Sequence, residues 1–210
     1  MSGPNRQLAL EQYRRRARRY DRLAPLTRRL RRRAVGRLQL RAGQTVIDVA
    51  CGTGLTFALL EDQIGPDGSL VGIDLSPEML SQARERVTAN GWRNVTLIES
   101  AIEDAAIPGV ADAAVFVLTH DVMRSSEALS NVLAHVRLGG RIAAAGGKRA
   151  SGWMLPANLY LGYAMRRYTT TTEGFDRPWR LLEALLPDLR VEPLLLGGAY
   201  VASGTSSQDG

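Results

Sequence analysis

Val46-Ile47-Asp48-Val49-Ala50-Cys51-Gly52-Thr53-Gly54 sets an apolar run directly against a glycine turn. Residues 45–50 are apolar except for Thr45 and Asp48, which predicts a strand buried on both faces, as in a parallel sheet. Gly52 and Gly54 then open a strand-to-helix turn where the backbone can approach a ligand closely and a side chain would collide. The third glycine of a dinucleotide fingerprint would fall at position 57, which is Phe57, so close packing of a pyrophosphate is disfavoured and a nicotinamide-dependent oxidoreductase with it. Asp74 lies twenty residues past Gly54 at the end of the next apolar run, where a carboxylate can accept both hydroxyls of a ribose.

Working outward, strand-like and helix-like segments alternate. A helix over 55–64 ends at Gly65-Pro66-Asp67-Gly68 and is followed by a strand over 69–74. Ser76 caps a helix over 77–89 with Pro77 at its first position, and Asn90-Gly91 closes it. Strands over 95–98 and 113–118 flank an irregular acidic stretch. A helix over about 125–136 precedes Gly139-Gly140, which turns into a strand over 141–145. Residues 150–186 read as interrupted helix, and 189–203 as a closing hairpin turned at Gly197-Gly198. The expected fold is α/β: a doubly wound, mostly parallel seven-stranded sheet with a closing antiparallel hairpin.

Before this unit, Leu10, Tyr13, Ala17, Tyr20 and Ala24 recur at helical steps of 3 and 4. Pro25 opens a second helix to Leu38 with Leu26, Leu30, Ala34 and Leu38 on its inner side. Residues 1–41 hold fourteen arginines against Glu11 and Asp21, whereas the remainder is net acidic, so the chain's +6 charge belongs to this leading segment. It reads either as a solvated helix face or as a patch for an anionic substrate, phospholipid head groups or RNA. Residues 1–41 are thus taken as a basic helical lid on a domain over 42–205. The lone Cys51 excludes an intrachain disulfide framework and multi-cysteine metal sites, and no metal is expected. With 45% apolar and 23% charged residues, no membrane-length apolar run and no secretory pattern, the expectation is a globular cytoplasmic protein, monomeric or homodimeric.

The motifs DVACGTG at 48–54, GIDLSPEML at 72–80 and HVRLGGRI at 135–142 resemble those of the class I S-adenosylmethionine-dependent methyltransferases, which have a Rossmann-like fold. The resemblance covers about residues 13–145. It implies S-adenosylmethionine as cofactor, with Asp48, Ala50, Gly52 and Gly54 along its methionine end and Asp74 on the ribose. Leu75 and Met79 would lie against the adenine. Ser100, Ala101 and Ile102 stand where the family often has an Asp-Ala pair, with Ser100 departing from the usual acid. Tyr13 and Asp21 would belong to a helix covering the cofactor, for which a plain packing face is the open alternative.

Leu118-Thr119-His120-Asp121 ends the fourth strand, where a doubly wound sheet places its ligand. Thr119 would border the cofactor, while His120 would take a proton from an acceptor or Asp121 orient it. A structural role at a helix start is the alternative for both. The aromatics Trp153, Met154 beside it, Tyr160, Tyr163, Tyr168, Phe175 and Trp179 would wall the acceptor. The function expected is methyl transfer to O, N or C of a small-molecule metabolite. The alternatives are a phospholipid or quinone-like acceptor at a membrane touched by the basic N-terminal helix, and a cofactor-binding protein that does not methylate. Without an added recognition domain or an Asn-Pro-Pro-Tyr-type tetrapeptide after the fourth strand, a nucleic-acid substrate is not expected.

Overall fold

The computed structural model describes residues 21, 24–149 and 174–207, the Leu26 side chain excepted. In chain order the elements are α1 (Ala24–Leu38), β1 (Thr45–Val49), α2 (Phe57–Ile64), β2 (Ser69–Asp74), α3 (Pro77–Asn90), β3 (Val95–Glu99), β4 (Ala111–Val117), α4 (Ser126–Ala134), β5 (Val136–Gly147), α5 (Arg180–Leu185), β6 (Arg190–Leu194) and β7 (Ala199–Thr205). One seven-stranded sheet runs in the order β3-β2-β1-β4-β5-β7-β6. The first five strands are parallel and β7 is antiparallel to both β5 and β6. The order reverses direction between β1 and β4, so the carboxyl ends of these two strands flank a crevice.

The strands alternate their side chains between two cores. Ile47, Val49, Val71, Ile73, Ala114 and Phe116 pack on α4 and α5, whereas Val46, Leu70, Val115 and Ala143 pack on α1 and α2. Asp48 shares the face of Val46 and is therefore turned toward α1 and α2. α1 buries Leu30, Ala34 and Leu38 in that core, as its apolar spacing predicts, with Val35 beside them, and leaves Arg28, Arg29, Arg32, Arg33 and Arg37 exposed.

Local signals place the helix ends. Ser76 Oγ accepts from the Met79 amide, Pro77 opens α3, and Gly91 closes it at φ 68°. Ser125 caps α4 through the Ala128 amide. Gly139-Gly140, however, makes no turn before the fifth strand. β5 begins at Val136 opposite Ala111, and its pairing with β4 then slips so that Arg141 faces Ala113. Gly139 adopts φ 71° within this irregularity, and a Cβ on Gly140 would lie 2.4 Å from Val136, so the glycines permit a bulge that tertiary pairing holds within one strand. The expected helices over 7–24 and most of 150–186, with Tyr13, Trp153, Met154, Tyr160, Tyr163 and Tyr168, lie outside the described residues.

Candidate active site

The turn after β1 contains three left-handed residues, Ala50 at φ 50°, Gly52 at φ 58° and Gly54 at φ 74°. Asp74 leaves the end of β2 and accepts from the Gly52 amide at 2.8 Å and the Ser76 amide at 2.9 Å. Its carboxylate thus ties together the loops that follow β1 and β2. Burial raises its pKa, and the amides of Ser76, Gly52 and Leu75 oppose that rise. Two carboxylate oxygens offer about four acceptor positions, so capacity for a diol is left over.

A Cβ on Gly52 would meet nothing within 4 Å, which leaves room above the turn for a ligand. Gly54 is different. Its Cβ would lie 2.7 Å from the Phe57 ring, on backbone at φ 74°, so an internal side chain and the left-handed turn both call for glycine at this position. Phe57 is fully buried, and Gly72 on β2 makes room for the far end of the same ring. Cys51 packs beside it, and burial pushes its thiol well above its ordinary range, which leaves it protonated and unreactive.

Asp48 is the buried acid of this turn. Loss of hydration raises its pKa to about 7, with Asp74 adding to the rise and the Arg31 charge and the Thr56 hydroxyl opposing it. Its Oδ2 is buried without a hydrogen-bond partner among the described residues. A buried carboxylate oxygen in this condition suits an incoming N–H donor, above all a cationic one. Arg31 is itself buried and donates to Thr27. It was hidden in the run Arg31-Arg32-Arg33, although its spacing of 3 and 7 to Ala34 and Leu38 puts it on the inward stripe of α1.

Asp21 reaches the glycine turn from the leading segment. It accepts from the Thr53 hydroxyl at 2.6 Å and from Arg86 of α3 at 2.6 Å, while Arg86 Nε donates to the Thr53 carbonyl at 2.9 Å. Arg86 carried no signal in the sequence.

Beyond β3, the Ser100 amide donates to the Asp74 carbonyl, and the Ser100 hydroxyl to the Ala101 carbonyl at 2.9 Å. Ala101 and Ile102 are buried at the start of a short helical turn that Asn131 of α4 fastens through the Ile102 and Ala105 carbonyls. Met79 is buried under α3, and Leu75 sits half-buried between Asp74 and Ser76. These residues therefore gather around the carboxyl ends of β2 and β3.

At the end of β4, Leu118 takes φ 61° and delivers Thr119 and His120, both buried, with Asp121 half-buried after them. The Phe175 ring stacks on His120 with centroids 4.0 Å apart and planes at 18°. Phe175 thus covers the fourth-strand end, while Trp179 turns to Tyr200 at 4.8 Å. The other histidine, His135, ends α4 with Nδ1 2.8 Å from the Asn131 carbonyl. No group of three His, Cys, Asp or Glu among the described residues is arranged to hold a metal ion.

This geometry sits inside a segment shared with known proteins. Residues 46–140 match the family described as methyltransferase domain. The matched stretch is a little under half of the chain, and over it the chain is similar to a methyltransferase domain. Over 53 residues the chain is 45% identical to an arsenite methyltransferase from Halobacterium salinarum, a match covering 25% of this chain and 14% of that protein. A demethylmenaquinone methyltransferase from Symbiobacterium thermophilum is 37% identical over 68 residues, covering 32% of this chain and 27% of that protein. The matches thus span less than a third of either relative. The N-methyltransferase NodS from Bradyrhizobium japonicum, solved with S-adenosyl-L-homocysteine, superimposes with a TM-score of 0.68 at 15% identity, covering 95% of this chain and 99% of that one. At that identity the likeness is one of fold, and it extends beyond both ends of the matched segment.

Proposed function

We propose that this chain transfers a methyl group from S-adenosylmethionine to an oxygen, nitrogen or carbon of a small-molecule acceptor. The observation that carries the reading is Asp74: a half-buried carboxylate at the end of β2, held against the Gly52 amide beside an open glycine turn. The cofactor would supply an electrophilic methyl group on sulfonium sulfur. Asp74 would hold the ribose diol, and Asp48 Oδ2 would accept from the ammonium of the methionine end. Ser100, Ala101 and Ile102 would border the adenine with Leu75 and Met79.

In-line transfer from a sulfonium needs no proton on the leaving group, so alignment supplies much of the rate. A base is needed only where the acceptor atom must lose a proton. His120 stands at the β4 end for that task, and Phe175 stacking fixes the plane of its ring. Asp121 would orient the acceptor beside it, and Thr119 would border the cofactor. The demethylmenaquinone methyltransferase likeness favours a quinone-like or other lipid acceptor as a second reading.

The test is calorimetric titration with S-adenosylmethionine and S-adenosylhomocysteine, with NAD as control. Both sulfur nucleosides should bind, and Asp74→Ala should weaken them on the order of a hundredfold, as expected for losing two charged hydrogen bonds. Binding of NAD alone would overturn the proposal.

A further inference from the structure

Leu195 and Leu196 form the turn between β6 and β7, and they are 76% and 75% exposed. Both hold left-handed backbone, φ 50° and 53°, a region that branched side chains rarely occupy. Strain of this kind persists where the surrounding structure imposes it. Here the imposed result is a pair of adjacent leucines standing in water. Among the described residues, the other large exposed apolar side chains, Val110 and Leu138, lie at the opposite, amino end of the parallel strands.

The turn lies on the rim where the candidate active site opens. β7 runs antiparallel to β5 and begins with Ala199 opposite Gly147, so the residues before Ala199 stand at the carboxyl end of β5. The Lys148 amide donates to the Gly198 carbonyl and fastens them there. Against the same turn, Arg29, Arg32, Arg33 and Arg37 of α1 line a groove of about 820 Å³ with Leu30, Gly36, Leu194 and Leu195. Glu192 neutralises part of this face by pairing with Arg33 and Arg37. Arg29 and Arg32 make no ion pair with a described residue. The described apolar side chains Leu30, Ala34, Val35 and Leu38 of α1 are in the core, so they are not free to insert.

We propose that this face docks the protein on an anionic phospholipid bilayer, with Leu195 and Leu196 entering the head-group boundary and the α1 arginines collecting lipid phosphates. Apolar insertion beside clustered cations is the chemistry such a surface recognises. The proposal does not depend on methyl transfer, although the shared rim would set the active site facing the lipid.

Vesicle flotation tests it. The full chain should float with vesicles of equal parts phosphatidylcholine and phosphatidylglycerol, and not with phosphatidylcholine alone. Leu195→Asn with Leu196→Asn should weaken flotation by roughly tenfold or more through lost apolar burial. Asparagine tolerates left-handed backbone, so this variant should melt no lower than the parent and bind S-adenosylhomocysteine unchanged. Arg29→Glu with Arg32→Glu should lose flotation by a similar or larger factor. The proposal is overturned if the parent chain stays unbound with anionic vesicles, or if the leucine variant floats equally well. It is also overturned if polyuridylate binds the parent and the leucine variant alike while vesicles bind neither, which would make the face a nucleic-acid surface.

Discussion

Asp21 and Arg86 meet at 2.6 Å, and Thr53 of the glycine turn bonds to both of them. Residues 65 positions apart thereby clamp the turn from two sides, one from the leading segment and one from α3. The two side chains are 37% and 29% exposed, so solvent screens the pair and Asp21→Ala should cost less than about 1 kcal/mol of stability. Ligand binding should suffer more, because Thr53 loses one of its two restraints. Thermal melts with and without S-adenosylhomocysteine check this: a small fall without ligand and a loss of the ligand-induced rise. An unchanged rise would leave the clamp without a binding role.

Asp48 makes stability depend on pH. Its folded pKa of about 7 stands above its ordinary 3.8, so the folded chain binds this proton more tightly than the unfolded chain. Stability should therefore fall as pH rises between about 4 and 7 and level off above. Asp48→Asn removes that fall, giving a gain on the order of a few kcal/mol at pH 8 and almost none at pH 4. Urea denaturation of both proteins across that range measures it. In the parent, S-adenosylhomocysteine affinity should rise through pH 7 as the carboxylate ionises to meet an ammonium, whereas the asparagine variant binds weakly at every pH. A pH-independent parent affinity would remove Asp48 from the methionine end.

Gly54 answers to Phe57. Gly54→Ala places a methyl group 2.7 Å from the ring on backbone at φ 74°, and should cost about 2 to 4 kcal/mol from overpacking and left-handed strain together. Phe57→Leu alone should cost about 1 kcal/mol. The double variant should be less destabilised than the two single changes added, because the leucine vacates the ring's space. Simple additivity in denaturant titrations would show that the ring is not what demands glycine here.

His120 is separable from the cofactor. His120→Ala should leave S-adenosylhomocysteine binding within about twofold while lowering turnover of a proton-bearing acceptor by about a hundredfold. Phe175→Ala, which frees the ring without removing it, should fall between the parent and His120→Ala in turnover. Single-turnover assays on an acceptor found by screening measure both. An unchanged rate in His120→Ala would reduce the residue to a wall of the pocket.

The alternation of strands and helices was legible in the residues because its causes are local. An apolar run such as 45–50, a Ser76-Pro77 start and an Asn90-Gly91 stop act over a few positions, and each sits where the structure has it. Asp48, Gly52 and Asp74 were legible for the same reason, since each lies at a strand end or in the turn after one. Gly139-Gly140 was misread because a glycine pair permits a turn and a bulge equally, and only the partner strand β4 chooses between them.

The amino-acid order by itself determined which segments pair with a sheet, which turn could admit a ligand and which acid would stand beside it, through backbone preference and hydrophobic period. Tertiary packing alone decided that Arg31 is the one arginine of its run to act on Asp48, that Asp21 and Arg86 converge on Thr53, and that Phe175 lies on His120. It also decided that Leu195 and Leu196 stay in water when so many leucines of this chain are buried. Such contacts join residues that share no turn of helix and no strand, so they exist only once burial of the two cores has fixed the sheet order and brought the carboxyl ends of its strands to one rim.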